Sequence, residues 1–155
     1  GYIKDEVMDQ FGSATTPHSL RLVEPAVQIW SPWGMPGTEF KLLSADPKTG
    51  RFSILIKVDE GVVAPLHRHV KAVEVFVLSG EFHYADDPQI RFGEGVYLLE
   101  NDNAVHEPVS DPGCIMLAVF HGPLEGVSEA GDVLGTLDCD WHLNAWAEAG
   151  NRYPV

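Results

Sequence analysis

Short apolar runs with alternating polar residues, each closed by a cluster of turn formers, restrict this sequence to a β-rich fold. The candidate strands are Phe40–Ser44, Phe52–Val58, Val73–Leu78, Phe82–Tyr84, Val96–Glu100 and Ile115–Phe120. Between them lie Asp46-Pro47-Lys48-Thr49-Gly50, Asp86-Asp87-Pro88, Gly93-Glu94-Gly95, Asn101-Asp102-Asn103 and Asp111-Pro112-Gly113. Each combines residues that preset φ, accept positive φ or bond back to their own backbone, as tight turns require. Strands at this spacing argue for an all-β sandwich or barrel. Successive strand residues point to opposite faces, so Phe52, Ile54, Ile56 and Val58 are expected on the interior wall and Ser53 and Lys57 outside.

The two ends differ from this pattern. Asp138 can cap a short helix carrying Trp141 and Ala145, stopped by Gly150. The first 26 residues, with Pro17 and Pro25, read as irregular or edge structure along the barrel, and Trp30 and Trp33 as packing residues. One domain is expected overall: an amino-terminal segment at 1–37, the barrel at 38–127, and a carboxy-terminal segment with its helix at 128–155.

With 155 residues, 45% of them hydrophobic, the chain can bury a core without disulfides. Its 10 Lys and Arg against 23 Asp and Glu leave a net charge of −13, which repels phosphate backbones and anionic lipid heads. Neither nucleic acid nor a membrane is an expected partner, and no apolar run approaches the roughly 20 residues of a membrane helix. The first residues lack the basic and apolar regions of a signal peptide. Cys114 and Cys139 do not make a disulfide framework, and Cys114 lies in an apolar run as a buried thiol. A cytoplasmic location is therefore expected.

The chemistry concentrates between Gly61 and His106. In a strand, His67 and His69 point to one face and Arg68 away from it. An inward Glu74 on the next strand would add a carboxylate. Downstream, the stretch from Gly95 to His106 reads as strand, tight turn, and a third histidine entering another strand, which a closed barrel can bring against the first pair.

Both spacings resemble the cupin superfamily, whose fold is a double-stranded β-helix, or jelly-roll barrel. The first cupin motif, Gly, five residues, HxH, three or four residues, Glu and about six more to Gly, is met by Gly61, His67, His69, Glu74 and Gly80, except that five residues separate the last two. In the second motif Gly95 and His106 fit, while Asn101, Asn103 and Ser110 stand where the motif has Pro, Gly and Asn. Asn tolerates the left-handed conformation that the glycine supplies, so the turn is expected to survive. Residues 40–51 with Pro65–His69, and His121–Gly126 running into Gly131–Gly135, look like the ChrR-like cupins, a group that includes acetylacetone dioxygenase and 2,4′-dihydroxyacetophenone dioxygenase.

The resemblance implies one divalent metal ion held by His67, His69 and His106, with Glu74 near or on the metal, so the ligand set is three histidines alone or three with Glu74. Iron(II) is favoured, and zinc, nickel, manganese or copper are compatible. It places Glu100, six residues before the third histidine, as the acid–base group. Ile54, Ile56, Phe76, Leu117 and His121 are the expected pocket contacts, while His83 reads as surface or barrel-wall polar and His18 and His142 as structural or exposed. The implied activity is a non-haem iron dioxygenase cleaving a C–C bond beside a carbonyl, with O2 and a small β-diketone or hydroxyacetophenone as partners and a homodimer or higher homo-oligomer as assembly. The alternatives are a metal-dependent isomerase, decarboxylase or lyase, or a non-catalytic metal- or ligand-sensing cupin.

Overall fold

The computed structural model describes residues 13–15 and 21–151; His18 and Pro17 lie outside them. In chain order the first strands are β1 (Ser13–Thr15), β2 (Arg21–Val23), β3 (Ser31–Pro32), β4 (Thr38–Asp46) and β5 (Arg51–Val58). Next come β6 (Val62–Val63), β7 (His67–His69), β8 (Val73–Tyr84), β9 (Asp87–Gly93) and β10 (Tyr97–Glu100). The last are β11 (Val105–His106), β12 (Pro108–Ser110), β13 (Cys114–Phe120), β14 (Leu124–Val127) and β15 (Val133–Leu137), followed by helix α1 (Cys139–Glu148).

Alternation builds the main sheet. In β5, Phe52, Ile54 and Ile56 are buried and Lys57 faces out, as the pattern requires. The turn before it is closed by Asp46, whose carboxylate accepts from Lys48 N and Thr49 Oγ1, both at 3.0 Å. The large sheet runs β3-β4-β5-β13-β8-β12-β6, with β9 and β10 also paired to β8, and a smaller one runs β11-β7-β14-β15. The two curl around one core in a single-domain jelly roll. Among the described residues no helix is long and apolar enough to cross a membrane.

The expected strands Val73–Leu78 and Phe82–Tyr84 are a single strand. Met116 pairs with Val77 but Ile115 with Ser79, so Leu78 is the extra residue of a β-bulge. Upstream of it Val73, Val75 and Val77 face the core; downstream, Phe82 does. Gly80 makes the bulge possible. Its φ is +74°, and a Cβ there would fall 2.0 Å from Gly113 O. The expected turn at Asp86-Asp87-Pro88 is shorter than read, because β9 starts at Asp87; it pairs only with β8, so Pro88 sits on an edge strand.

Helix α1 starts and stops where the sequence indicates. Asp138 Oδ1 accepts from Trp141 N at 2.7 Å, and Gly150 takes φ +87° just beyond the end. The helix buries Trp146 against Phe40 and His142 against Phe52, with ring centres 4.0 Å apart for the second pair. His142 is fully satisfied: Nδ1–H donates to Asp138 O at 2.6 Å, and Nε2 accepts from Trp33 Nε1–H at 2.9 Å. Trp30 lies under the Lys41 ammonium at 4.6 Å.

Two outcomes follow for stability. Gly80→Ala is expected to cost about 3 kcal/mol or more, because positive φ and a backbone clash add. Gly95→Ala, at φ +82° with nothing within 4 Å of the new Cβ, should cost only about 1 kcal/mol. Denaturant midpoints of the two variants check the difference. Burial also holds the His142 pKa down at about 4 from the ordinary 6.5. The unfolded chain then binds the proton more readily, so this contribution is complete above pH 6.5 and is lost as pH falls toward 4, by about 3 kcal/mol at most. His142→Gln should flatten the fall in urea midpoint between those values; His67, depressed to about 4 as well, keeps part of the slope in metal-free protein.

Candidate metal centre

Strand β7 turns His67 and His69 to the interior and Arg68 outward, where its guanidinium meets Glu125 of β14 at 2.6 Å. Strand β11 runs antiparallel beside it with His106 opposite His67. The turn that delivers β11 is pinned to β7, since Asn103 N donates to His69 O at 2.7 Å and His69 N to Ala104 O at 3.1 Å. Asn103 adopts φ +62°, the only positive φ at a non-glycine among the described residues, in the place of the motif glycine. Strand β10 ends at Glu100, which faces in with a buried carboxylate while Tyr97 faces out.

These four side chains gather at one place. The ring centres of His67, His69 and His106 stand 5.0, 5.9 and 6.5 Å apart. Glu100 Oε2 lies 2.6 Å from His69 Nε2, yet the contact is not aligned as a hydrogen bond, and both nitrogens of His69 and Nε2 of His106 are buried without hydrogen-bond partners. His67 Nδ1–H donates to Pro65 O at 3.1 Å, which fixes the tautomer with its lone pair on Nε2. Burial, then the neighbouring His69, pushes the His67 pKa down to about 4. Burial also lowers that of His106, against the opposing pull of Glu100. His67 and His106 are therefore held toward the neutral form, which carries a lone pair for a metal.

Buried polar atoms without partners are costly, and a divalent cation would satisfy these. Imidazoles sharing one ion at about 2.0–2.1 Å have ring centres roughly 5 Å apart. The His67–His69 pair has that spacing and His106 stands further back, so among the described residues no three such donors are closed around a point. The donor set fits a metal in number and chemistry.

The surrounding cavity is about 70 Å³ and mostly apolar, with Ile56, Val75, Met116, Phe120, Leu124 and Trp33 on its walls. One polar residue of the site was not singled out from the sequence. The Tyr84 hydroxyl donates to Glu100 Oε1, and its ring stacks on His106 with centres 4.1 Å apart. Only the bulge in β8 turns Tyr84 inward; the spacing of Gly80 was the available signal.

Several expected contacts lie elsewhere. Glu74 is on the outer face of β8, accepting from Tyr97 Oη–H at 2.9 Å and His121 Nε2–H at 2.8 Å, and those bonds hold its carboxyl below the usual range. The missing residue before Gly80 explains this. Leaving the motif's six residues between that position and Gly80 lands on Val73, which is buried, and Glu100 is the register partner of Val73. Phe76 and Leu117 also face out, on the same row as Glu74's side of the sheet, and His121 is half exposed beside Glu74. Ile56 borders the cavity, whereas Ile54 is core that does not reach it. His83 is buried, accepting from Arg91 Nη1 at 2.8 Å. Cys114 and Cys139 are free and buried.

The ChrR cupin-like domain family matches residues 18–125 of the chain. No curated protein matches by sequence. Among solved structures, an acetylacetone dioxygenase from Acinetobacter johnsonii superposes with a TM-score of 0.71 at 20% identity, over 77% of this chain and 85% of that one. An RmlC-like cupin from Ralstonia eutropha reaches 0.76 at 20% identity, over 85% and 90%. The anti-sigma factor ChrR of Rhodobacter sphaeroides, solved with SigE, reaches 0.50 at 26% identity, over 59% of this chain and 47% of that one.

The ligand assignment predicts that His67→Ala, His69→Ala and His106→Ala each weaken binding of added zinc at least tenfold, whereas Glu74→Gln leaves it unchanged. Equilibrium dialysis at pH 7.5 decides this, and stoichiometric zinc in a histidine variant would remove that residue from the set.

Proposed function

We propose that this chain, which belongs to the ChrR cupin-like family, holds one divalent ion, iron(II) by preference, and uses dioxygen to cleave a C–C bond beside a carbonyl in a small diketone. The observation that carries this reading is the group of partnerless imidazole nitrogens beside a buried carboxylate in an apolar cavity. The likeness to acetylacetone dioxygenase supports the choice of reaction.

His67, His69 and His106 would hold the metal. When bound, it supplies Lewis acidity toward the oxygens of an enolate and an accessible redox change toward O2. Three neutral imidazoles leave its full charge available to an anionic substrate. Glu100 Oε2, the carboxylate oxygen not engaged by Tyr84, takes the proton from the carbon next to the carbonyl. The walls at Ile56, Val75, Met116 and Phe120 exclude water from the anion. Size favours a compact substrate. At about 10–15 Å³ per water the cavity holds roughly five, which supports a short diketone over a substituted aryl ketone.

Iron(II)-loaded protein should consume equimolar O2 with acetylacetone and release two fragments, at least one a carboxylic acid, with both oxygen atoms retained in the products. Substrates blocked at the enolisable carbon should not react, and zinc-loaded protein should bind the diketone without cleaving it. Turnover that persists under argon, or equally with zinc, would assign a lyase or isomerase. The likeness to ChrR favours a second reading, a ligand-sensing cupin, for which diketone would bind the iron form without any oxygen uptake.

A further inference from the structure

We infer that Tyr84 is a positioning residue that decides how Glu100 faces the metal centre: its hydroxyl occupies Oε1, so that Oε2 alone is turned to the imidazoles. This rests on the metal reading above. Glu100 is buried, and among the described residues Tyr84 is its only hydrogen-bond donor. The other carboxylate oxygen lies against His69 Nε2. The Tyr84 ring is held in place by Phe82 at 5.8 Å, Phe92 at 5.5 Å and His106 at 4.1 Å, the last nearly parallel at 16°. Tyr84 thus reaches from β8 to the functional groups at the end of β10 and in β11, and its hydroxyl has little freedom to leave.

The chemical consequence concerns the two oxygens of one carboxylate. Bonded at Oε1, Glu100 turns only Oε2 to the imidazoles, where it is kept as a proton acceptor and not drawn in as a further ligand. Without the hydroxyl, Oε1 would be a buried anionic oxygen with no donor, which is costly. It would turn toward the one remaining positive partner, the ion, and both oxygens would then be committed to binding. Tyr84→Phe removes the hydroxyl while keeping the ring and its stack on His106. It is therefore expected to change the metal's coordination and to slow proton transfer without unfolding the barrel.

Cobalt(II) is the probe, added to the full chain of wild type, Tyr84→Phe, Glu100→Gln and the double variant, each first shown by circular dichroism and melting to be folded. The visible absorption of the Tyr84→Phe complex should differ from wild type, and its cobalt should leave roughly tenfold more slowly. In the Glu100→Gln background the same substitution should change neither, because the carboxylate it acts through is gone. With iron(II), Tyr84→Phe should lower kcat about tenfold while KM stays within about twofold. A Tyr84→Phe spectrum identical to wild type, or one that changes equally with and without Glu100, overturns the role of Tyr84 and leaves the metal centre standing. Failure of the wild type to bind cobalt overturns the metal centre, and this inference with it.

Discussion

The site depends on a backbone contact made on the barrel wall away from the histidines. At Gly80 the chain presses so closely on Gly113 that a Cβ would meet the Gly113 carbonyl oxygen at 2.0 Å. There β8 slips by one residue against β13, with Leu78 left over. Because side chains alternate, this slip reverses every facing downstream. Val73, Val75 and Val77 supply wall, and Phe82 and Tyr84 then point inward from the same strand. Without it His83 would face the cavity and Tyr84 would face Arg91. One close approach of two glycines thus exchanges an imidazole for a phenol at the carboxylate of Glu100.

The second constraint is desolvation, and two histidines show what it does and does not establish. His142 and His67 are both buried, with pKa values pushed down to about 4. In His142 both nitrogens are bonded, one to the Asp138 carbonyl and one to Trp33, so the ring is a structural pin between helix and sheet. At the centre, His69 has neither nitrogen bonded and His106 lacks a partner at Nε2. Burial makes an imidazole neutral; only a missing partner makes it a donor in waiting. The burial that holds His67 and His106 toward the neutral form comes with an apolar wall that would also keep water away from an anionic substrate, so one environment serves both ends.

What was legible in the sequence was whatever a short window contains. The face of Phe52–Val58 followed from Lys57, the helix limits from Asp138 and Gly150, and the turn at Asn103 from the tolerance of asparagine for positive φ. The three histidines came together because their spacing encodes strand, turn and strand. Facing within continuous apolar runs was not legible. Leu117 lies in Cys114–Phe120, where every residue is apolar and parity is set by the neighbours β5 and β8. The small-sheet strands β14 and β15 were missed because Gly126 and Gly135 interrupt any apolar pattern and their register also shifts. Tyr84 was not singled out because a bulge is a property of two strands and a single sequence shows only one; Glu74 lies before the bulge, and its outward facing is set by its pairing with Val119 of β13 and Leu99 of β10.

The exchange of carboxylates is the point at which these threads meet. Counted back from Gly80, the motif position for glutamate is Val73, and the residue paired across from it is Glu100. A register pair places two side chains on the same face, a few ångströms apart. A carboxylate can therefore move from one strand to the next and still serve the same cavity, while the vacated position becomes apolar wall. Its supports change with the move. A glutamate on β8 would be fixed by its own strand, whereas Glu100 ends β10 and is held instead by Tyr84, from the far side of the bulge. Glu74, the residue that looks right by count from His69, is left outside to bond Tyr97 and His121. Val73, Val75 and Val77 face the core before the bulge, so the position counted from Gly80 falls inside and the one counted from His69 falls outside.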